Sequence, residues 1–323
     1  MTRLSLLVVP QMLREQDEHR DSLARAVELA EAAGQAGFDA CYFPEHHGRD
    51  DDYPSAPLTL AAYVAGRTPR IGIGTGVALL PLHNPLAFAE QMSTLGALVG
   101  DRLHRVGVGM GGLDGDYAAM GVPRAEMRRR FADSLAVIRR LWAGETVTAD
   151  VGSLRLTEAR LYPRPSRPLP LAVGAMAEPS VRRAGLLGLP WITDPSHSLT
   201  TLERLAEIYW SAAGSEGEVI LMRNAWPAAD HESERIWWPH VERSLVEFSV
   251  GAGRLREEPG VRIGWSDFRD RLLCGPPEQL VKEACAAAAR LDAAEVVIRL
   301  GFPTGPGHDA VRAAIRSFGR RSR

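Results

Sequence analysis

Apolar residues in this chain gather into short unbroken runs, separated by longer stretches with helical spacing. The runs are LSLLVVP (4–10), FDACYFP (38–44), RIGIGTGVALL (70–80), LHRVGVG (103–109), LAVGA (171–175), LPWIT (189–193), EVILMRNA (218–225) and AEVVIRL (294–300). They are rich in Val, Ile and Leu and do not alternate with polar residues, so each is expected to form a strand buried on both faces, as in a parallel sheet. Between them lie amphipathic segments. In DSLARAVELAEAAGQAG (21–37), Leu23, Ala26, Val27 and Ala30 share one face and Gly37 supplies a stop. In NPLAFAEQMSTLGALV (84–99), Pro85 suits a helix's first turn. Eight strand–helix pairs in alternation predict a single α/β domain over residues 1–323, a (β/α)8 TIM barrel. A doubly wound open sheet is the alternative, disfavoured because no G-x-G-x-x-G turn follows the first run.

Two stretches depart from the rhythm. TVTADVGSLRL and the proline-rich YPRPSRPLP, at about 145–168, predict a small hairpin and an extended connector. Residues from about 227 to 275 are irregular and carry Trp237, Trp238 and Trp265. They are expected to form a lid-like insertion between strand seven and its helix.

Composition narrows the function classes. The chain has 323 residues, 45% hydrophobic and 24% charged, with a formal charge of −2. That balance carries no electrostatic footprint for nucleic acid or an anionic membrane. Cys41, Cys274 and Cys285 are widely spaced and odd in number, which argues against a disulfide framework and against a zinc site. The first apolar run is too short for a signal peptide, and no segment approaches the ~20 apolar residues that span a bilayer. A cytoplasmic protein without a metal is the expectation.

In a barrel the active site is built from the loops at the C-terminal ends of the strands. FPEHHGRDDDYPS (43–55) falls at such an end and offers a metal site, an acid/base station or a solvated loop. Neighbours in an extended segment point to opposite sides, so Glu45, His46 and His47 do not converge on one metal. An acid/base role needs only one imidazole facing the pocket, with its neighbours orienting it; the bland reading is a capped rim with a structural histidine. Asp50, Asp51 and Asp52 read as a solvated loop. The glycines of GIGTGVALLP fit either close packing or a ligand lying against the backbone. GVGMGGLDGD after strand four allows a phosphate cradle, with Arg128, Arg129 and Arg130 as the nearest cations. VGAMAEPS ends strand five at a helix N-terminus, which favours a phosphate or is an ordinary cap.

Taken in order, GFDACYFPEHH (37–47), RTPRIGIGTGVALLPLHNPLAFAEQMSTL (67–95), GDRLHRVGVGMG (100–111), RRFADSLAVIRRLWAGETV and GPGHDAVRAAIRSF resemble the bacterial luciferase-like flavin monooxygenases across nearly the whole chain. The resemblance implies a barrel that binds reduced FMN, or the deazaflavin F420, at its C-terminal face. It implies a general-base role for His46, supported by Glu45 and His47, and a non-proline cis peptide at Gly76–Val77 against the flavin ring. It maps the phosphate contacts onto Gly109 and Met110, Arg129 (Arg130 if the register slips), and Ala175, Met176, Ala177 and Ser180. Many FMN-using relatives carry arginine where Met110 stands, and hydroxyl or acidic groups where Met176 and Ala177 stand. The weaker clamp suits a two-component enzyme, to which a separate flavin reductase supplies FMNH2 as a diffusing substrate. A small organic substrate would then be oxygenated with O2. The alternatives are an F420-dependent oxidoreductase moving a hydride, and a flavin-binding protein without catalysis. Tyr42, Trp191, His197 and Trp226, at or just beyond strand ends, are the candidate substrate-pocket residues. The family likeness also implies a homodimer.

Overall fold

A computed structural model describes residues 2–9, 19–49, 53–227, 242, 270–302 and 307–318. Eight parallel strands close into a ring: β1 (Arg3–Leu7), β2 (Ala40–Phe43), β3 (Gly72–Leu79), β4 (Leu103–Gly109), β7 (Leu171–Gly174), β8 (Trp191–Ile192), β9 (Val219–Pro227) and β11 (Ala293–Arg299). They pair in that order, and β11 returns to β1 while β8 meets β9, so no edge remains open. The strands coincide closely with the eight apolar runs. The sixth is the shortest, with only Trp191 and Ile192 in the ladder.

Seven helices cover the ring: α1 (His19–Ala36), α2 (Pro57–Arg67), α3 (Pro85–Val99), α5 (Met127–Trp142), α6 (Glu178–Leu186), α7 (Leu199–Ala213) and α8 (Pro277–Leu291). A further helix, α9 (His308–Phe318), packs on α1. Gly37 has φ 87° and ends α1, in the left-handed region that a side chain would resist. Asn84 caps α3, its side-chain oxygen accepting from the N–H groups of Leu86 and Ala87. The predicted hairpin is present as the antiparallel pair β5 (Val147–Val151) and β6 (Leu154–Ala159). Two elements lie where the sequence reading placed irregular chain. A short helix, α4 (Asp114–Ala119), occupies the loop after β4, and β10 (Leu272–Gly275) pairs with the C-terminal half of β9, beyond the point where β8 stops. Most of the expected insertion, with Trp237, Trp238 and Trp265, lies outside the described residues.

Alternation along each strand sorts side chains into two cores. Leu6, Val8, Cys41 and Phe43 face the helices in a large outer core. Leu7, Val9, Tyr42, Ile192, Ile220, Met222 and Val297 fill the barrel interior. The N-terminal end of the barrel is closed by ions. Glu295, fully buried, accepts from Ser5 Oγ (2.5 Å) and pairs with His104 (2.9 Å), while Glu218 takes Arg105 (2.5 Å) and Arg3. Tyr42 belongs to this plug. It is fully buried, with its ring edge-on to His104 at 5.9 Å and against the backbones of Gly74 and Gly76. The candidate placement of Tyr42 in an open substrate cavity is therefore corrected: the bare glycines of β3 draw its ring down the barrel axis.

Candidate active site

β2 ends at Phe43, and Pro44 leads into Glu45, His46 and His47 at the C-terminal rim. The extended backbone separates their side chains. Glu45 and His47, two apart, share a face and bond to each other, Nε2 to Oε1 at 2.8 Å. Glu45 is 2% exposed and also accepts from His83 Nε2 (2.9 Å) and from the Leu79 N–H (2.6 Å) at the end of β3. Burial pushes its carboxyl up, but the bonds from His47, His83 and Leu79 outweigh this and hold it at about 2. The Glu45 bond in turn raises the His47 imidazole above its usual value.

His46 points the other way. Its Nδ1–H donates to Asp116 Oδ2 at 2.8 Å, and its ring stands edge-on to Tyr53 at 4.8 Å. Asp116 is 1% exposed, and its second oxygen accepts the His47 backbone N–H at 2.8 Å. One carboxylate on α4 thus fixes both the tautomer of His46 and the course of its backbone. Asp116 and His83 are absent from the sequence-derived site. Their signals are an aspartate in the Gly/Asp-rich GGLDGD loop and the histidine of LPLHNP, both beyond strand ends.

The peptide Gly76–Val77 is cis, as the resemblance implied. Val77 is half-buried, and its methyl groups lie where a Cβ on Gly109 or Gly174 would stand, at 2.6 and 2.8 Å. Next to it the β4 loop brings up Gly109 and Met110, whose carbonyl accepts from Tyr117 Oη. Across the β4–β7 ladder, α6 begins at Glu178 behind Ala177, with no side-chain cap on its first turn. Ser180 is half-buried in that turn, Met176 is half-buried before it, and the buried Ala175 carbonyl is taken by Trp191 Nε1 at 2.8 Å.

The remaining candidates go elsewhere. Arg129 is exposed and turns to Asp133 (3.7 Å) and the Gly152 carbonyl (3.4 Å) of the hairpin, so it lies away from the β4 loop. Arg130 is buried, donating to Pro81 O (2.8 Å) and Val151 O (3.5 Å). Successive helical positions are rotated by about 100°, which sends one arginine to the hairpin and the next into the core. The cation that does reach the loop is Arg124, bonded to Asp114 (2.8 Å) and Gly112 O (3.4 Å) and stacked on Tyr117. Trp191 is fully buried on the helix side against Tyr209, away from the mouth, whereas Trp226 is buried near the end of β9, in the alternation of Ile220 and Met222. His197 stands in the loop after β8, its carbonyl accepting from Arg223 at 2.8 Å. Among the described residues no group of three His, Cys, Asp or Glu is arranged to hold a metal, and no helix is long and apolar enough to cross a membrane.

The C-terminal rim thus carries a histidine–carboxylate pair, a half-buried valine at the end of β3 and a helix end without a side-chain cap beyond β7, over an apolar barrel interior. It is equipped to move a proton next to a flat group bearing a phosphate. A family model described as luciferase-like monooxygenase matches residues 3–317. The chain is 34% identical over 281 residues to a 4-hydroxyprotoasukamycin monooxygenase from Streptomyces nodosus subsp. asukaensis, covering 84% of this chain and 71% of that protein. It is 30% identical over 257 residues to an F420-dependent glucose-6-phosphate dehydrogenase from Kineococcus radiotolerans, covering 72% and 75%. Among solved structures, the oxygenating constituent of 3,6-diketocamphane monooxygenase from Pseudomonas putida, in complex with FMN, superposes with a TM-score of 0.80 at 17% identity, covering 99% of this chain and 97% of that one. The chain belongs to the luciferase-like monooxygenase family.

Proposed function

We propose that this protein is a flavin-dependent monooxygenase that uses reduced FMN, delivered by a separate reductase, and O2 to oxygenate a small organic substrate. The observation that carries this reading is the His46–Asp116 pair on the same rim as the half-buried Val77 at the end of β3. The residues present fit a flavin-type group. Val77 is half-exposed, seated against the bare backbones of Gly109 and Gly174, and offers an apolar face to a flat ring, while the Glu178 N–H and the Ser180 hydroxyl at the start of α6 are the donors available to a phosphate. Gly76, Val77, Gly109 and Met110 would lie along the ring, and Ala175, Met176, Ala177 and Ser180 would face the phosphate. When bound, reduced FMN supplies the activation of O2 and the transfer of an oxygen atom.

The chain's own task is narrower. Asp116 keeps the proton of His46 on Nδ1, so Nε2 is the atom that gives or takes a proton at the reacting centre. The apolar interior formed by Leu7, Val9, Met222 and Val297 keeps water from beneath the site. Met110 and Met176 supply no charge to the phosphate, which favours a flavin that binds and leaves over one held permanently.

The second reading, hydride transfer with F420, is favoured by the F420-dependent relative. An anaerobic titration with FMNH2 and with F420, followed by admission of O2 and the flavin spectrum, separates the two. Binding of FMNH2, with reoxidation kinetics unlike those of the flavin in buffer, is the expected result. Binding of F420 alone, without consumption of O2, overturns the monooxygenase reading.

A further inference from the structure

One inward-facing polar pair at the barrel mouth has no part in the proton chemistry above. On β9, Ile220 and Met222 belong to the barrel interior, so Asn224, two residues further toward the rim, points the same way. Arg299 is its register partner on β11 and stands two residues beyond Val297, another interior residue. Both side chains are removed from solvent, Asn224 at 1% exposure and Arg299 at 7%. In the closed ring β3 and β9 are four places apart, so this pair faces Val77 across the mouth.

The orientation of the Asn224 amide follows from its one bond. Nδ2 donates to the Pro195 carbonyl at 3.3 Å, and a carbonyl can only accept, so the oxygen is the other branch. Asn224 Oδ1 is buried and meets no donor among the described residues. A buried acceptor left without a donor destabilises the fold, and native structures rarely carry one without a reason. Arg299 donates Nε to Gly301 O at 3.0 Å and lies over the Phe302 ring at 4.9 Å, so its guanidinium is held by the segment after β11 and does not bond to Oδ1. The apolar interior below the amide offers nothing to compensate an ammonium, which favours an uncharged donor such as a hydroxyl on Oδ1.

We propose that Asn224 is the polar anchor of the substrate site. Its Oδ1 accepts a hydrogen bond from a hydroxyl on an otherwise apolar organic molecule, whose apolar body rests on Leu7, Ile192, Met222 and Val297. This assignment deepens the monooxygenase reading and rests on it only in taking the barrel mouth as the substrate site. It narrows the substrate to hydroxylated, largely apolar molecules, held from the side opposite the cofactor wall. A site built to bond a hydroxyl discriminates strongly against an analogue that lacks the donor.

The test uses the cofactor-free protein and matched alcohols and methyl ethers on cyclohexyl, phenyl and naphthyl frames, titrated by calorimetry. The alcohols are expected to bind about tenfold more tightly than their ethers, a factor equivalent to ~1.4 kcal/mol. Asn224→Leu should remove that preference by weakening the alcohols alone, and Asn224→Ser, which keeps an oxygen, should retain part of it. Equal binding of alcohol and ether to the unaltered protein overturns the anchor, as does failure of every alcohol to bind or a preference that survives in Asn224→Leu. Should the leucine variant not fold, the comparison in the unaltered protein still decides. Because no flavin is present, failure of the anchor is distinct from failure of the monooxygenase reading, which the FMNH2 titration addresses.

Discussion

His46 stands between two residues that share the opposite side of its segment, and that alternation assigns the three roles. Glu45 and His47 turn toward the end of β3 and hold each other, whereas His46 turns to Asp116. Removing the Asp116 charge while keeping its shape tests the dyad: in Asp116→Asn the amide can donate to Nδ1 and favour the wrong tautomer. Turnover with FMNH2 and O2 is expected to fall by about 10²-fold or more, with FMNH2 affinity within a few-fold of the unaltered protein. Turnover that is unchanged would show that Asp116 is a structural clasp for α4 and nothing more. That adjacent histidines stand on the rim was legible from their place at a strand end, whereas the choice of His46 as candidate base came from the family resemblance. The partner of His46 was not legible, because Asp116 is 70 positions away in sequence and only the packing of α4 brings it within 2.8 Å. The arginines illustrate the same limit. A triplet on one helix contains every azimuth needed, and choosing among Arg128, Arg129 and Arg130 requires knowing where the hairpin lies.

At the scale of elements, β3 and β4 form the tightest join in the ring. Thr75 Oγ1 donates to the Gly107 carbonyl at 2.7 Å, and a Cβ on Gly107 would stand 2.1 Å from Thr75 O and 2.7 Å from Ile192 Cδ1. Backbone cannot yield as a flexible side chain can. Gly107→Ala is therefore expected to destabilise the fold by about 3 kcal/mol or more, read from the urea midpoint. Asn84→Ala, which removes only the cap of α3, should lower stability by about 1 kcal/mol. A Gly107→Ala protein as stable as the Asn84→Ala protein would mean that the strands separate at little cost. The glycine density of β3 and β4 was visible as sequence, and both readings of it apply at different positions. Gly107 is packing, whereas Gly109 and Gly174 leave room for Val77 at the mouth. The short strands escaped for a related reason. β10 is four residues of no periodic signature, and it forms because the upper half of β9 has an unpaired side once β8 ends.

Across the whole molecule, two deeply buried glutamates sit at opposite ends of the barrel. Glu45 ties the C-terminal rim of β2 to β3, and Glu295 closes the N-terminal end with Ser5, His104 and Arg3. Burial pushes the Glu295 carboxyl up, but the bonds and charge of His104, the Ser5 hydroxyl and Arg3 outweigh it and leave it below its usual value, as at Glu45. A carboxyl whose folded value is depressed stabilises the fold above its unfolded value and loses that contribution as pH falls. For Glu45 the window runs from its ordinary 4.5 down to about 2, and the contribution is about 3 kcal/mol. Thermal stability should therefore decline steeply from pH 4.5 toward 2. Glu45→Gln should be less stable at pH 7 and lose less on acidification. Parallel acid limbs in the two proteins would remove Glu45 as a source of acid sensitivity.

The sequence by itself determined the ring. Eight runs buried on both faces, separated by amphipathic helices, have few ways to hide their surfaces other than a closed parallel barrel. It also determined which end carries the chemistry, since strand direction fixes which loops lie on the catalytic rim. Tertiary structure decided everything that depends on side chains from distant strands meeting: the Asp116 hold on His46, the clasp of Glu45 on His83, and the burial of Tyr42 and Trp191 away from the mouth. Periodicity tells a residue's face within its own element. Only closure of the ring sets which other faces it will meet.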